Sequence, residues 1–412
     1  MSYSGNTTPR VAAVGRTVDV VVTLPEEIQS LLPGEAVPLR WYSRVARTHD
    51  VRFDGCLDSN GALHCALPFN YAGEYTLAVF APDNEEPCFS QRFFAASPEF
   101  LSLTPWKGDL HIHTNESDGK EPGLTMARRA CELGMDFVAI TDHDRHAPSL
   151  STADEAAQVG LPLLVIPGEE ATIRGSGGHV LSLGASASVG KLSYREELDD
   201  ERAALLRDFV GDRLLVPPLT PEVYHHAAWT ARKIREFGGL AIMAHPFWEG
   251  SPGRYYPAPA IVQQLLRDNL LDGIELLGGS PKVEGNCLAV CFYAETIAPR
   301  GLAITGGSDA HALSNLGWFW TVAFAEELST AAVLDALRRQ RTVACFLRTP
   351  GDVSTFGPLA LTEYAYFLQR EFFPLHDDIR RQQAEACAAA DADAATRHAA
   401  DLRALYDGFW LR

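Results

Sequence analysis

Histidine and carboxylate recur through the middle of this 412-residue chain, each time beside a short apolar run. The first cluster is Asp109-Leu-His111-Ile-His113-Thr-Asn-Glu-Ser-Asp118-Gly119. Alternate residues of a strand share a face, so His111 and His113 project together from its end. Residues 137–141 run into Asp142-His143-Asp144, and 163–167 into Gly168-Glu169-Glu170. The next run opens with Gly178-His179, 240–244 ends in His245-Pro246, and 303–306 leads to Ser308-Asp309-Ala-His311. Of thirteen histidines in the chain, six fall at these positions. Packing alone does not collect imidazole and carboxylate at one strand terminus after another. The mixture suits Zn²⁺, Mn²⁺ or Fe²⁺ rather than Ca²⁺. Such ions acidify water and polarise ester oxygens, so the pattern points to metal-assisted hydrolysis.

Strands and helices alternate from residue 107 onward in the rhythm of a (β/α) barrel, which presents its chemistry at the strands' C-terminal ends. A helix over 124–132 closes at Gly134. A second, over 220–237, has Thr220 as cap, Pro221 in its first turn and Gly238-Gly239 beyond its end. Helices over 259–269 and 286–298 flank a strand over 273–277. Ahead of this, residues 10–95 are rich in β-branched and aromatic positions separated by turn residues, which predicts a small antiparallel β-sandwich. The expected organisation is a sandwich over 1–100, a barrel over 101–350 with a helical insertion at 185–219, and a helical extension over 351–412.

The motifs His111-x-His113 with Asp118-Gly119, Thr141-Asp142-His143, Gly168-x-Glu170, His179, His245-Pro246 and Gly307-Ser308-Asp309-Ala310-His311 make residues 107–345 resemble the polymerase-and-histidinol-phosphatase (PHP) superfamily. The β-rich region ahead of the barrel resembles the branch that includes carbaryl hydrolases. The resemblance implies an α/β fold built on a distorted seven-stranded (β/α) barrel, with two or three divalent metal ions. It implies that His111, His113, Glu170 and Asp309 hold one metal, and that Glu170 bridges to a second held by His179 and His245. Asp118, His143 and His311 would hold a third. Asp118 stands where some relatives carry histidine, which favours a harder ion there. The expected activity is a phosphoesterase, on mono- or diesters, with a metal-bridging hydroxide as nucleophile. The alternatives are a carbamate or carboxylic ester hydrolase on the same metals, and a non-catalytic metal-containing binding module.

Asp142 is a candidate for orienting a histidine ligand. Arg174 and Arg254 are candidates for binding an anionic substrate, since guanidinium presents a planar fork to phosphate. Trp248, Tyr255 and Tyr256 offer a stacking wall. Glu169 reads as facing away from the ligand side, Asp144 and His146 as loop polarity, and His49, His64, His225, His226, His376 and His398 as surface residues. A net charge of −18 weighs against a nucleic-acid or anionic-membrane partner but not against a small phosphate ester, because metals reverse the local sign. The polar first ten residues carry no signal pattern and no apolar run reaches membrane-spanning length, so a cytoplasmic protein is expected. The eight cysteines lack metal-site spacing and read as free thiols.

Overall fold

The computed structural model describes residues 9–411 apart from 33–35, 45–49, 83, 176–177, 211–218, 252–253 and 280–282; His49 therefore lies outside the described residues. The fold is mixed α/β, in two compact units. One comprises Met1–Thr104, Thr362–Ile379 and Ala392–Arg412, and the other Pro105–Leu361 and Arg380–Asp391. Of the C-terminal helices, Leu359–Glu371 and Phe373–Ala388 are divided between the two units and Ala392–Phe409 belongs to the first.

In the first unit, hydrogen bonds run unbroken across seven strands, so the region expected to be a sandwich is one sheet. Its edge strands, Val11–Ala13 and Arg16–Thr23, are consecutive in sequence and joined by a tight turn at Val14-Gly15. The sheet must curl until its edges nearly meet. Residues from both edges accordingly share one core, in which Trp41 stacks on Tyr75 at 4.9 Å and meets Phe69 and Phe93 edge-on. The register sets Cys56 opposite His64, so Cys65 faces the other way and no disulfide joins the two.

In the second unit, seven strands form a nearly closed ring: Thr104–Ile112, Phe137–Ile140, Leu164–Ile166 continuing past Pro167 as Gly168–Ile173, Gly178–Leu183, Leu240–Met243, Gly273–Gly278 and Ala303–Gly307. The ring closes where His113 N donates to Ala310 O at 2.9 Å and Ala310 N to His111 O at 3.3 Å. One strand departs from the parallel pattern. Gly178–Leu183 runs antiparallel to both neighbours, because only residues 174–177 separate it from Gly168–Ile173 and a parallel crossover needs a dozen or more. Reversal puts the start of this strand, where His179 sits, on the same rim as the other strands' ends.

Helix Pro221–Glu236 begins at the expected threonine cap, with Val223 N donating to Thr220 Oγ1. It buries Tyr224, Trp229 and Ile234 against Leu265 and Leu271. Three more strands, Phe319–Ala325, Thr342–Thr349 and Asp352–Phe356, extend the sheet outward from Thr104–Ile112. Among the described residues no helix is long and apolar enough to cross a membrane.

Candidate metal centre

All nine expected ligands converge on one rim of the ring. His111, His113 and Glu170 are almost wholly buried, and Asp118 is the most open at 54% of its side chain. His111, His113, Glu170 and Asp309 each present a ligand atom, all within 4.8 Å of one another; so do His113, Asp118, His143 and His311, and so do His143, Glu170 and His179. The first set is the expected one. The second adds His113 to the expected trio. In the third, His143 stands beside Glu170 and His179, while His245 joins through its Nε2, 3.1 Å from Glu170 Oε1.

Glu170 is the hub. Its Oε2 lies 3.3 Å from His111 Nε2 and 3.2 Å from both His113 Nε2 and His143 Nδ1, and its Oε1 lies 3.0 Å from His179 Nδ1. Yet Oε2 makes no hydrogen bond, nor do the Nδ1 atoms of His143 and His179. Buried polar atoms are seldom left unpaired. Donor atoms around an ion at roughly 2.0–2.2 Å lie at most about 4.4 Å apart, and the 3.0–3.3 Å separations of the Glu170 oxygens from the imidazole nitrogens fall within that. The residues present fit divalent cations.

Electrostatics agree. Burial works against a charged His111, but the Glu170, Glu275 and Asp309 carboxylates overcome it and hold the imidazole well above its usual range. His113 is likewise raised to about 9, burial being outweighed by Asp309 and Glu170. Glu170 and Asp309 are held well below the carboxylate range, by His111 with His179 and by His111 with His113 respectively, against burial. The cavity therefore attracts positive charge strongly, and divalent cations would take the place of the imidazole protons.

Backbone conformation is unusual at two ligands. His245 and Asp309 have φ of +24° and +51°, in the left-handed region that non-glycine residues rarely adopt. Close packing sets a further constraint at Gly307, where a Cβ would fall 2.4 Å from Glu275 Oε1 and 2.7 Å from His111 Cβ.

Two buried acids carry roles to which the ligand pattern gave no clue. Glu275, in the middle of Gly273–Gly278, lies 3.1 Å from His111 Nδ1 and accepts from His245 N at 2.9 Å. Its signal in the sequence is a lone acid inside Gly-Ile-Glu-Leu-Leu-Gly. Asp109 accepts from His111 N and Ser308 N, and burial pushes its carboxyl up to about 7.

Asp142 behaves differently from expectation. Its carboxylate accepts from Thr114 N at 2.8 Å, Thr114 Oγ1 at 2.7 Å and Ser117 Oγ, and from no imidazole among the described residues. It anchors the loop between His113 and Asp118 and so places a ligand through backbone. Glu169 faces away from the cluster, accepting from Ser188 Oγ and from Val189 N and Gly190 N. Asp144 accepts from Thr172 N and Tyr194 Oη, and His146 Nε2 lies 3.0 Å from Ala185 O. Arg174 sits where the hairpin leading to His179 turns; its guanidinium donates to Ser193 O at 3.1 Å and lies over the Tyr194 ring. Arg254 is exposed on strand Arg254–Tyr256, which pairs with Trp248–Ser251 just past His245. His376 is not a surface residue: it is fully buried against Phe372, Phe373 and Tyr406.

Comparison with known proteins matches the PHP domain over residues 109–298 and the PHP-associated region over 294–342. A phosphoribosyl 1,2-cyclic phosphate 1,2-diphosphodiesterase of Eggerthella lenta is 26% identical, covering 49% of this chain and 93% of its own. The 5'-3' exoribonuclease Rnm of Salmonella typhimurium is 32% identical over 26% of this chain, which spans only 37% of that protein's length. Among solved structures, a two-domain protein of Bacteroides vulgatus containing a predicted PHP-like metal-dependent phosphoesterase is 20% identical, covering 60% of this chain and 66% of that one, with a TM-score of 0.42.

Proposed function

Because the chain belongs to the PHP family, we propose that it is a metal-dependent phosphoesterase acting on a small phosphate ester at the Glu170-centred cluster. The observation that carries this reading is the interlocking of the donor sets: Glu170, His113 and His143 each belong to two of the three. When bound, two or three divalent cations (Zn, Mn or Fe) would supply Lewis acidity and a water acidic enough to lose its proton near neutral pH.

The chain's own residues do the rest. Glu275 accepts the Nδ1 proton of His111 and so turns the Nε2 lone pair towards Glu170 and Asp309. His311 is set in the same way, its Nδ1 lying 2.8 Å from Asp309 O and its Nε2 3.2 Å from Asp118 Oδ2. Asp142 holds the loop that delivers Asp118. Arg174 and Arg254 are the cations we assign to the anionic part of the substrate, because they stand on the segments that lead into His179 and follow His245.

Net charge of −18 favours a compact substrate over a long polyanion, although two of the relatives, Rnm and the exonuclease PolX of Bacillus subtilis, are nucleases by name. The relatives' names describe phosphate-ester chemistry, and none supports the carbamate or carboxylic ester alternative. The test is release of nitrophenol from nitrophenyl phosphate, bis-nitrophenyl phosphate and nitrophenyl acetate by metal-loaded protein. The proposal expects turnover of a phosphate reporter that chelation abolishes. Turnover of the acetate alone overturns it, and inertness towards all three favours a binding module.

A further inference from the structure

A cavity of about 280 Å³ opens beside His245. Its floor is the strand Gly273–Gly278, one wall is the hairpin Trp248–Ser251 with Arg254–Tyr256, and the opposite wall is helix Val283–Phe292. Phe247, Trp248 and Tyr255 line it, with the Trp248 ring 5.4 Å from the His245 imidazole and Phe247 edge-on to Tyr255 at 6.1 Å. The hairpin is fixed to the ligand, since Trp248 N donates to His245 O at 2.9 Å. Helix and hairpin approach closely where Gly285 leaves room: a Cβ there would lie 2.9 Å from Phe247 O. Tyr255 Oη donates to Glu284 at 3.2 Å, tying the two walls together.

Chemistry of the lining is one-sided. The acids Glu249 and Glu284 contribute to it, and among the described residues no lysine or arginine does. A second phosphate or a carboxylate would enter against the carboxylates of Glu249 and Glu284, whereas a flat ring would meet three aromatic faces and edges. The volume, just below the range of about 300–1,000 Å³ for whole-ligand sites, suits a substituent and not a large ligand.

We propose that this cavity is the leaving-group subsite, and that it selects phosphate esters whose leaving group is an aromatic ring without negative charge. The assignment rests on the phosphoesterase reading above. In the reaction, a water oxygen bonds to phosphorus, the ester P–O bond breaks, and the departing aryl oxide takes up a proton. The ester R–OPO₃²⁻ and water thus give ROH and hydrogenphosphate. Trp248 and Tyr255 hold R beside His245, which leaves the phosphoryl group towards Glu170 and Asp309.

The experiment compares kcat/KM of metal-loaded protein for phenyl phosphate, methyl phosphate and 4-carboxyphenyl phosphate. Phenoxide leaves more easily than methoxide, so phenyl phosphate should exceed methyl phosphate by more than the subsite supplies; to that, burying a phenyl-sized ring adds an advantage on the order of 10- to 100-fold. The carboxylate should cancel most of the advantage. Trp248→Ala should lower the phenyl-to-methyl ratio about tenfold, the share that ring burial supplies. Glu284→Gln should raise the rate on 4-carboxyphenyl phosphate relative to phenyl phosphate, a gain that a merely damaged fold does not produce. Calorimetric affinities for phenylphosphonate and methylphosphonate should show the same preference without turnover. Equal affinities for phenylphosphonate and methylphosphonate, or ester ratios unmoved by Trp248→Ala and Glu284→Gln, overturn the subsite alone. No hydrolysis of any of the three esters overturns the phosphoesterase reading and the subsite with it.

Discussion

Replacing Glu275 by glutamine should cost the protein metal affinity even though Glu275 is not among the ligands. Both carboxylate oxygens are in use: Oε1 and Oε2 lie 3.1 and 3.3 Å from His111 Nδ1, and Oε2 accepts from His245 N at 2.9 Å. An amide retains a single accepting oxygen, so one of the two donors would face an NH₂ group. Leaving a buried donor unpaired costs about 1–3 kcal/mol. Part of that is recovered if His111 rotates, but rotation misdirects the Nε2 lone pair. Either way the loss should appear as roughly 10- to 100-fold weaker metal binding, the usual effect of removing a partner that orients a ligand. Competition of the loaded protein against a chelating indicator measures it directly. A dissociation constant within twofold of the parent would refute the reasoning and leave Glu275 as packing.

Four further outcomes follow from the same site. Protein purified without chelator should carry at least two equivalents of divalent metal by elemental analysis, and one or none after supplementation contradicts the interlocked sets. Stripping the metals should lower Tm, because a site filled at 100 times its Kd stabilises by about 2.7 kcal/mol. At about 2–4 °C per kcal/mol for a unit of this size, calorimetry should find a drop of roughly 5–10 °C per site. Glu170→Gln should abolish both activity and metal retention while Glu169→Gln keeps the metals, since Glu169 turns away to bond Ser188, Val189 and Gly190; the opposite order would show the strand mis-phased by one residue. Arg174→Ala should lower kcat/KM on phosphate esters about tenfold to a hundredfold at unchanged metal content, and unchanged kinetics remove this arginine from the site.

Convergence of most of the nine ligands was legible because they stand in or just past the ends of strands or, for His179, at a strand start; Asp118, in the loop after His113, was marked by the family resemblance. Position of His179 even carried the strand's direction: a ligand at the beginning of a strand reaches the common rim only if the strand runs backwards. Glu275 was hidden for the converse reason. It lies inside an apolar strand, and a solitary acid in such a run has no partner in sequence, only in space, at His111 and His245. Asp142 shows the limit of adjacency. It precedes His143 directly, but neighbouring side chains diverge, so it serves Thr114 and Ser117 instead. In the N-terminal unit, alternation identified strands but not their pairing, and the pairing decides between two facing sheets and one curled sheet.

Ring closure has a consequence for the order of events during synthesis. His111 and Asp309 lie 3.3 Å apart in the fold yet nearly two hundred residues apart in the chain, on the strand ends whose bridge at Ala310 completes the ring. A nascent chain that has emerged through His245 carries most of the donors but lacks Asp309 and His311, so two of the three donor sets remain incomplete. Contacts of such long range are also the slowest to form. Filling of the two sets that need Asp309 and His311 should therefore be the last step of maturation, whereas a cation held early by the His143, Glu170 and His179 set would sit in an unclosed barrel. The cluster in this way acts as a report that the ring has shut.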